Sequence, residues 1–156
     1  MKIRLLTLGK TADSWAREGI EVFEKRLKHY CTFSIEEFVV PGLKGLNADQ
    51  QKTAEGKFLL GKIATGERIV LLDENGTAMP SEKFAEWIGK QQNSGVKTVV
   101  FVVGGPFGFS EEVYKAAAGK ISLSSMTFTH QMVRLFFTEQ LYRAFTILKG
   151  EKYHHS

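Results

Sequence analysis

Three stretches of the chain hold residue types that could do chemistry. The first runs from Thr98 to Glu112 as TVVFVVGGPFGFSEE, where β-forming residues end in Gly104-Gly105-Pro106-Phe107-Gly108 and a serine backed by two acids. Glycines at the exit of a strand either make a tight turn or let backbone amides and carbonyls line a narrow slot for a small ligand. The second, SLSSMTFTHQMVR from Ser122 to Arg134, places Ser124, Ser125, Thr127 and Thr129 between a strand and a helix. Such a loop offers hydroxyls and free backbone groups at a strand's carboxyl end, where α/β proteins bind ligands. His130 and Arg134 are four apart and share a face of any helix that starts near His130. A neutral imidazole accepts a proton and a guanidinium stabilises an anion. The plainer reading is a cap-region histidine and a solvated or dimer-facing charge. The third stretch is the tail GEKYHHS, with one aromatic ring at Tyr153 and imidazoles at His154 and His155. That histidine pair has no further ligands beside it, so no metal site is expected.

The glycines do not form a dinucleotide fingerprint. That pattern needs G-x-G-x-x-G on the first strand–helix turn, with an acid about 20 residues on. Here the first strand ends at Gly9-Lys10, and the glycine cluster comes late in the chain. An oxidoreductase reading would need a nicotinamide cofactor and has no motif to hold one.

Apolar strands alternating with amphipathic segments must position these residues. KIRLLTLG predicts a buried first strand, and SWAREGIEVFEKRLKHY a helix with Trp15, Ile20, Phe23 and Leu27 on its inner face. TFSIEEFVV predicts a second strand, followed by a loop at Pro41, Gly42 and Gly45. A helix from Asn47 to Ala64 comes next, then the strand ERIVLLD, apolar enough to be covered on both faces. ENGTAMP is expected to turn the chain before Ser81 and Glu82 open a helix through Gln92. After the glycine-ended strand, Ser110 caps a short helix through Ala118, KISLS makes a last strand, and a helix runs from Gln131 to Lys149. The order predicts an α/β fold with a mostly parallel sheet.

At 156 residues the chain is read as one domain, residues 1–156, able to bury a core without staples. The single cysteine, Cys31, excludes an internal disulfide framework and a cysteine-built metal site. No apolar run is long enough to span a bilayer, and the first residues turn polar too soon for a signal peptide, so a cytosolic chain is expected. A net charge of +4 with a pI near 9.2 favours an anionic partner such as RNA. Lys2, Arg4, Lys10, Arg17, Lys25, Arg26 and Lys28 suit such contacts or simply solvated faces.

GGPFG, SLSSMTFTHQMVRLFFTEQLYRAF and the closing YHH together resemble the SPOUT-class methyltransferases. Within that class the chain is most similar to the family that methylates N3 of a pseudouridine in large-subunit (23S) ribosomal RNA. The resemblance covers the whole chain, from the KI.LL..GK opening to the tail. It implies an α/β knot, in which the end of the chain threads an earlier loop, one of the rare exceptions to unknotted folds. It implies S-adenosylmethionine (SAM) as cofactor, held at Leu72, at Gly104 and Gly105, and along Leu123, Ser124, Ser125, Met126, Thr127 and Phe128. Backbone groups and apolar packing from Leu72, Leu123 and Met126 would recognise adenine, and the glycines would admit the cofactor without a clash. It implies 23S rRNA on the ribosome as partner, no metal and no membrane.

The resemblance also implies a homodimer that completes each active site across its interface. Val133, Phe136, Phe137, Gln140, Leu141, Ala144, Phe145 and Leu148 form a core-facing stripe on the last helix. Met132, Leu135, Glu139 and Tyr142 form a second, mixed face that calls for another surface. The chemistry asks the protein to align N3 with the methyl group and to remove the imide proton. His154 and His130 are the candidates for the proton, Arg134 and Arg143 for the developing charge, and Tyr153 for stacking on the flipped base. The competing class is a non-catalytic, ribosome-associated RNA-binding module, which has no use for two ligand-binding loops at strand ends.

Overall fold

A computed structural model of the chain describes residues 1–155; Ser156, the last residue of the tail, lies outside them. Strands and helices alternate as β1 (Lys2–Leu8), α1 (Ser14–Leu27), β2 (Thr32–Phe38), α2 (Ala48–Leu60) and β3 (Arg68–Ala78). They continue as α3 (Ser81–Asn93), β4 (Thr98–Val103), α4 (Glu111–Ala116), β5 (Gly119–Ser122) and α5 (His130–Leu148). The strands form one sheet in the order β2-β1-β4-β3-β5, and every pairing is parallel.

Apolar runs on the central strands are explained by cover on both faces. Ile3, Leu5, Val70, Val99 and Phe101 meet Leu27 of α1, Phe84 and Ile88 of α3, and Phe137, Leu141 and Phe145 of α5. Alternate residues Leu6, Leu71, Val100 and Val102 meet Leu59 of α2 and Phe109 and Val113 on and before α4. Helix starts follow side-chain chemistry: Asn47 and Gln50 form a capping box, Ser110 accepts from the Val113 amide, and Thr129 accepts from the Met132 amide.

Several expectations are corrected. Trp15 is 48% exposed, and Ala16, Ile20 and Leu27 take the inner face of α1, because a shift of one residue turns a helical side chain by about 100°. That helix ends at Leu27, and Tyr30 turns in to stack on Phe145. Arg4 is no solvated charge; it is buried and pairs with Glu36 at 2.7 Å and Glu67 at 2.6 Å. Neither does Arg134 lie in solvent: it is 1% exposed. The second face of α5 is partly covered within the chain, with Leu135 against Gly19 and the Tyr142 ring 5.8 Å from Phe23, while Met132, Leu135, Glu139 and Tyr142 stay half-buried. At its end, Leu148 is exposed beside Gly89 of α3.

The largest departure lies in ENGTAMP, which does not simply turn the chain. β3 runs on to Ala78, and its pairing with β5 jumps so that Ile121 faces both Leu72 and Thr77. The intervening residues Asp73–Gly76 bulge around β5, braced by the Asn75 amide donating to the Asp73 carboxylate at 2.9 Å. A Cβ on Gly76 would lie 2.7 Å from both the backbone nitrogen and the carbonyl carbon of Ile121. Here β3 passes β5 in a close backbone-to-backbone crossing. Only glycine fits there, since backbone cannot swing aside as a side chain can. Gly76→Ala should therefore cost about 2–3 kcal/mol, read as a lowered urea midpoint. An unchanged midpoint would show that the crossing has slack.

Candidate functional site

The carboxyl ends of β3, β4 and β5 open into one cleft of about 430 Å³, within the size range of small-molecule sites. Its walls are Leu72–Asn75 at the bulge within β3, Val103–Phe109 at and after the end of β4, and Leu123, Ser124 and Met126–Phe128 after β5, with Tyr114, His130 and Val133 closing it. Leu72, Gly104, Gly105, Leu123, Ser124, Met126, Thr127, Phe128 and His130 thus share one cavity, while Ser125 is not among its lining residues. The loop hydroxyls are largely spent on the loop itself. Ser122 donates to the Ser124 carbonyl at 2.8 Å, the Ser124 hydroxyl accepts from the Met126 amide at 2.9 Å, and Thr127 donates to Glu74 at 2.8 Å. Beside them Met126 is 73% exposed.

Across from the loop, Tyr114 donates its hydroxyl to Asp73. Burial and that hydrogen bond push the phenol up to about 12, so it stays a donor. Sequence reasoning passed over Asp73, Glu74 and Tyr114, because an acid after a strand and a tyrosine in a short helix have no distinctive spacing.

The two glycines are also needed by the chain itself. A Cβ on Gly104 would meet the Phe109 ring at 3.1 Å, and a Cβ on Gly105 would overlap the Glu55 carboxylate, 1.9 Å from Oε2. The missing side chains thus make room for two of the chain's own groups. Glu55, on α2, is 4% exposed, and neither of its carboxylate oxygens has a hydrogen-bond partner among the described residues. A lone glutamate in a polar helix carries no sequence signal of this.

His130 opens α5 at the cleft. Desolvation, helped by the nearby Arg134 charge and opposed by Glu55, lowers its pKa from the usual histidine value, so it is neutral at pH 7. Arg134, one turn on, faces away from the cleft. Its guanidinium donates to the Leu8 carbonyl at 2.8 Å and the Thr11 hydroxyl at 2.9 Å, with Glu37 3.9 Å away.

The remaining candidates sit at the other end of α5. Arg143 donates to Glu139 at 2.6 Å and lies over the Tyr153 ring, 4.7 Å from its centre. Tyr153 donates to Glu139 at 2.9 Å and packs edge-on against Tyr142. Arg143 is also 3.2 Å from His154 Nδ1, and His154 Nε2 is 2.9 Å from Glu82. A guanidinium can only donate, so Nδ1 accepts and Nε2 carries the proton given to Glu82. That bond holds the Glu82 carboxyl below its usual range. The thirteen positions from His130 to Arg143 span about 20 Å of helix. One chain therefore does not bring its own tail to its own cleft. Among the described residues no three metal-ligating side chains cluster, and no helix is long and apolar enough to cross a membrane.

Comparison with known proteins places this geometry. The family described as "Predicted SPOUT methyltransferase" matches residues 1–154. Curated relatives named ribosomal RNA large subunit methyltransferase H match from end to end. Those of Christiangramia forsetii and Flavobacterium johnsoniae are 54% and 51% identical, over 99% of this chain and 99% of each relative. That of Cytophaga hutchinsonii is 48% identical over 99% of this chain and 100% of its own length. Likeness to methyltransferases over the full length sets aside the non-catalytic RNA-binding module. With a parallel α/β sheet, a cleft formed where the β3, β4 and β5 segments meet, and a family match over residues 1–154, this protein belongs to the SPOUT methyltransferase family.

Proposed function

We propose that the chain is a SAM-dependent methyltransferase that methylates N3 of a pseudouridine in 23S ribosomal RNA, acting on ribosomes in the cytoplasm. The observation that carries this is the cleft itself: walled in part by three glycines, Gly104, Gly105 and Gly108, and without a lysine or arginine among its lining residues. Backbone groups at Leu72, Gly104, Gly105 and Leu123–Phe128, Ser125 included, suit the edge of an adenine ring, with Leu72, Leu123 and Met126 packing on its faces. A cleft whose charged walls are acidic suits a cationic ligand. SAM, when bound, supplies an electrophilic methyl group on a positively charged sulfur.

The chain's own residues then have to hold the base, keep water out and take its proton. His130 suits the last role. It is neutral at pH 7, it lines the cleft, and among the described residues no side chain hydrogen-bonds to its ring. The imide proton passes to a ring nitrogen of His130 as N3 gains its methyl group. Arg134 acts through His130, as a positioning residue that seats the first turn of α5. Arg143, kept charged by its hydrogen bond to Glu139, suits the developing anion on the base, and Tyr153 suits stacking. His154 has both nitrogens engaged, so it orients Arg143 more readily than it accepts a proton.

Since these tail-end groups sit about 20 Å from His130 along the helix, the reading needs a homodimer in which each tail serves the partner's cleft. Complementation tests that arrangement. A His130→Ala chain and a chain lacking residues 153–156 should each be about a hundredfold slower than the full chain. Mixed under conditions that exchange subunits, they should regain activity that neither has alone, because one of the two sites is then intact. Light scattering that finds only monomer, or a mixture with no gain, would remove the shared site.

The donor is tested by titration calorimetry. SAM and its demethylated product, S-adenosylhomocysteine (SAH), should both bind the full chain. Gly105→Ala should weaken SAM at least about tenfold by driving Glu55 out of its place. Mass mapping of 23S RNA from a strain lacking the gene should show one unmethylated pseudouridine, restored by adding the purified protein and SAM to its ribosomes. A modification pattern identical to the parent's would sink the reaction assigned here.

A further inference from the structure

Directly behind the Gly105 wall lies a group that this reaction does not use. Glu55 is buried, both its oxygens lack a partner among the described residues, and its carboxyl group occupies the space that a Gly105 side chain would fill. A lone buried carboxylate is strongly unfavourable unless something compensates it. Among the described residues no cation pairs with it. Arg134, whose charge also bears on His130, is held by Leu8 and Thr11 and lies nearest to Glu37 among the acids.

The cleft repeats the sign. Its titratable lining groups are Asp73, Glu74, Tyr114 and His130, and the first two are carboxylates already engaged by Tyr114 and Thr127. A chain with a net charge of +4 thus presents a negative cavity at this one place. Gly105 lets that negative charge come close, because no side chain stands between the carboxylate and the wall.

We propose that the Glu55 carboxyl, left without a partner beside Gly105, is compensated by a positively charged ligand, so that the cleft prefers a cationic methyl donor to its neutral product. The proposal rests on SAM being the donor. Transfer of the methyl group turns a sulfonium into a thioether, so the ligand loses one positive charge while keeping the rest of its structure. Both Glu55 oxygens are shielded from solvent and lack a hydrogen-bond partner among the described residues, so a cation on the other side of the Gly105 wall is what can compensate them. In water-poor surroundings a unit charge several ångströms away changes affinity on the order of tenfold. The effect aids turnover, since the spent cofactor is held less tightly than the fresh one.

The test is calorimetry with three ligands: SAM, SAH and sinefungin, which carries an ammonium where SAM carries the sulfonium. Glu55→Gln keeps the shape and removes the charge. It should weaken SAM and sinefungin about tenfold and leave SAH nearly unchanged, whereas Glu55→Asp should keep the preference. If the glutamine variant fails to fold, Glu55→Met carries the same expectation. A ratio of SAM to SAH affinity that stays the same, whether both ligands hold or both fall together, makes Glu55 a packing residue and overturns the proposal. A full chain that binds none of the three removes the donor reading first, and this proposal with it.

Discussion

A guanidinium that is 1% exposed must find its acceptors inside the protein, and Arg134 finds them at the carboxyl end of β1. Its bonds to the Leu8 carbonyl and the Thr11 hydroxyl pin the first turn of α5 to the sheet, and Gln131 adds a bond to the Lys10 carbonyl at 3.3 Å. Much depends on this seat. It fixes where His130 stands, and it sets the end of the loop that lines the cleft. It also fills the crevice beside β1, where strand order reverses and where open α/β sheets usually bind ligands. With that crevice closed by a side chain, the cavity forms beyond β3, β4 and β5 instead. Removing one partner of such a buried charged contact costs about 3–5 kcal/mol, a large share of the stability of a domain this size.

The same chain keeps two kinds of charge apart. The basic surface suits a polyanion, whereas the cleft shows carboxylates and no lysine or arginine. Arg143 is held by Glu139 at the far end of α5, away from the chain's own cleft. A cation stationed permanently beside a positively charged donor would repel it; one delivered with the base would not.

Much of the fold was legible because burial on both faces writes long apolar strands, and because Asn47, Ser110 and Thr129 announce helices by known capping chemistry. The glycine pair was legible as a place of close approach. What approaches was not, because Glu55 and Phe109 lie far from it or beside it in ways that spacing does not encode. The extension of β3 was hidden by Glu74-Asn75-Gly76-Thr77, residues that favour turns; pairing with β5 overrides that preference. Arg134 was misjudged because a charge four residues from a histidine is most simply read as surface. Only the position of Leu8 and Thr11 in space reveals its acceptors.

The register of β1 has a consequence for the birth of the chain. Lys2 pairs with Thr98, so the first strand cannot complete its place in the sheet until β4 has been made. At a synthesis rate of about 5–20 residues per second, that wait lasts on the order of 5–20 seconds. During it, the apolar β1 has only β2 beside it, and its other edge stays unpaired. The seat for Arg134 at Leu8 and Thr11 waits longer still, since its occupant comes 36 residues after Thr98. Long-range parallel pairing of this kind folds slowly. The apolar first strand therefore keeps an open edge, the kind of surface on which chains aggregate, until β4 has been made, and this follows from the topology rather than from any single weak residue.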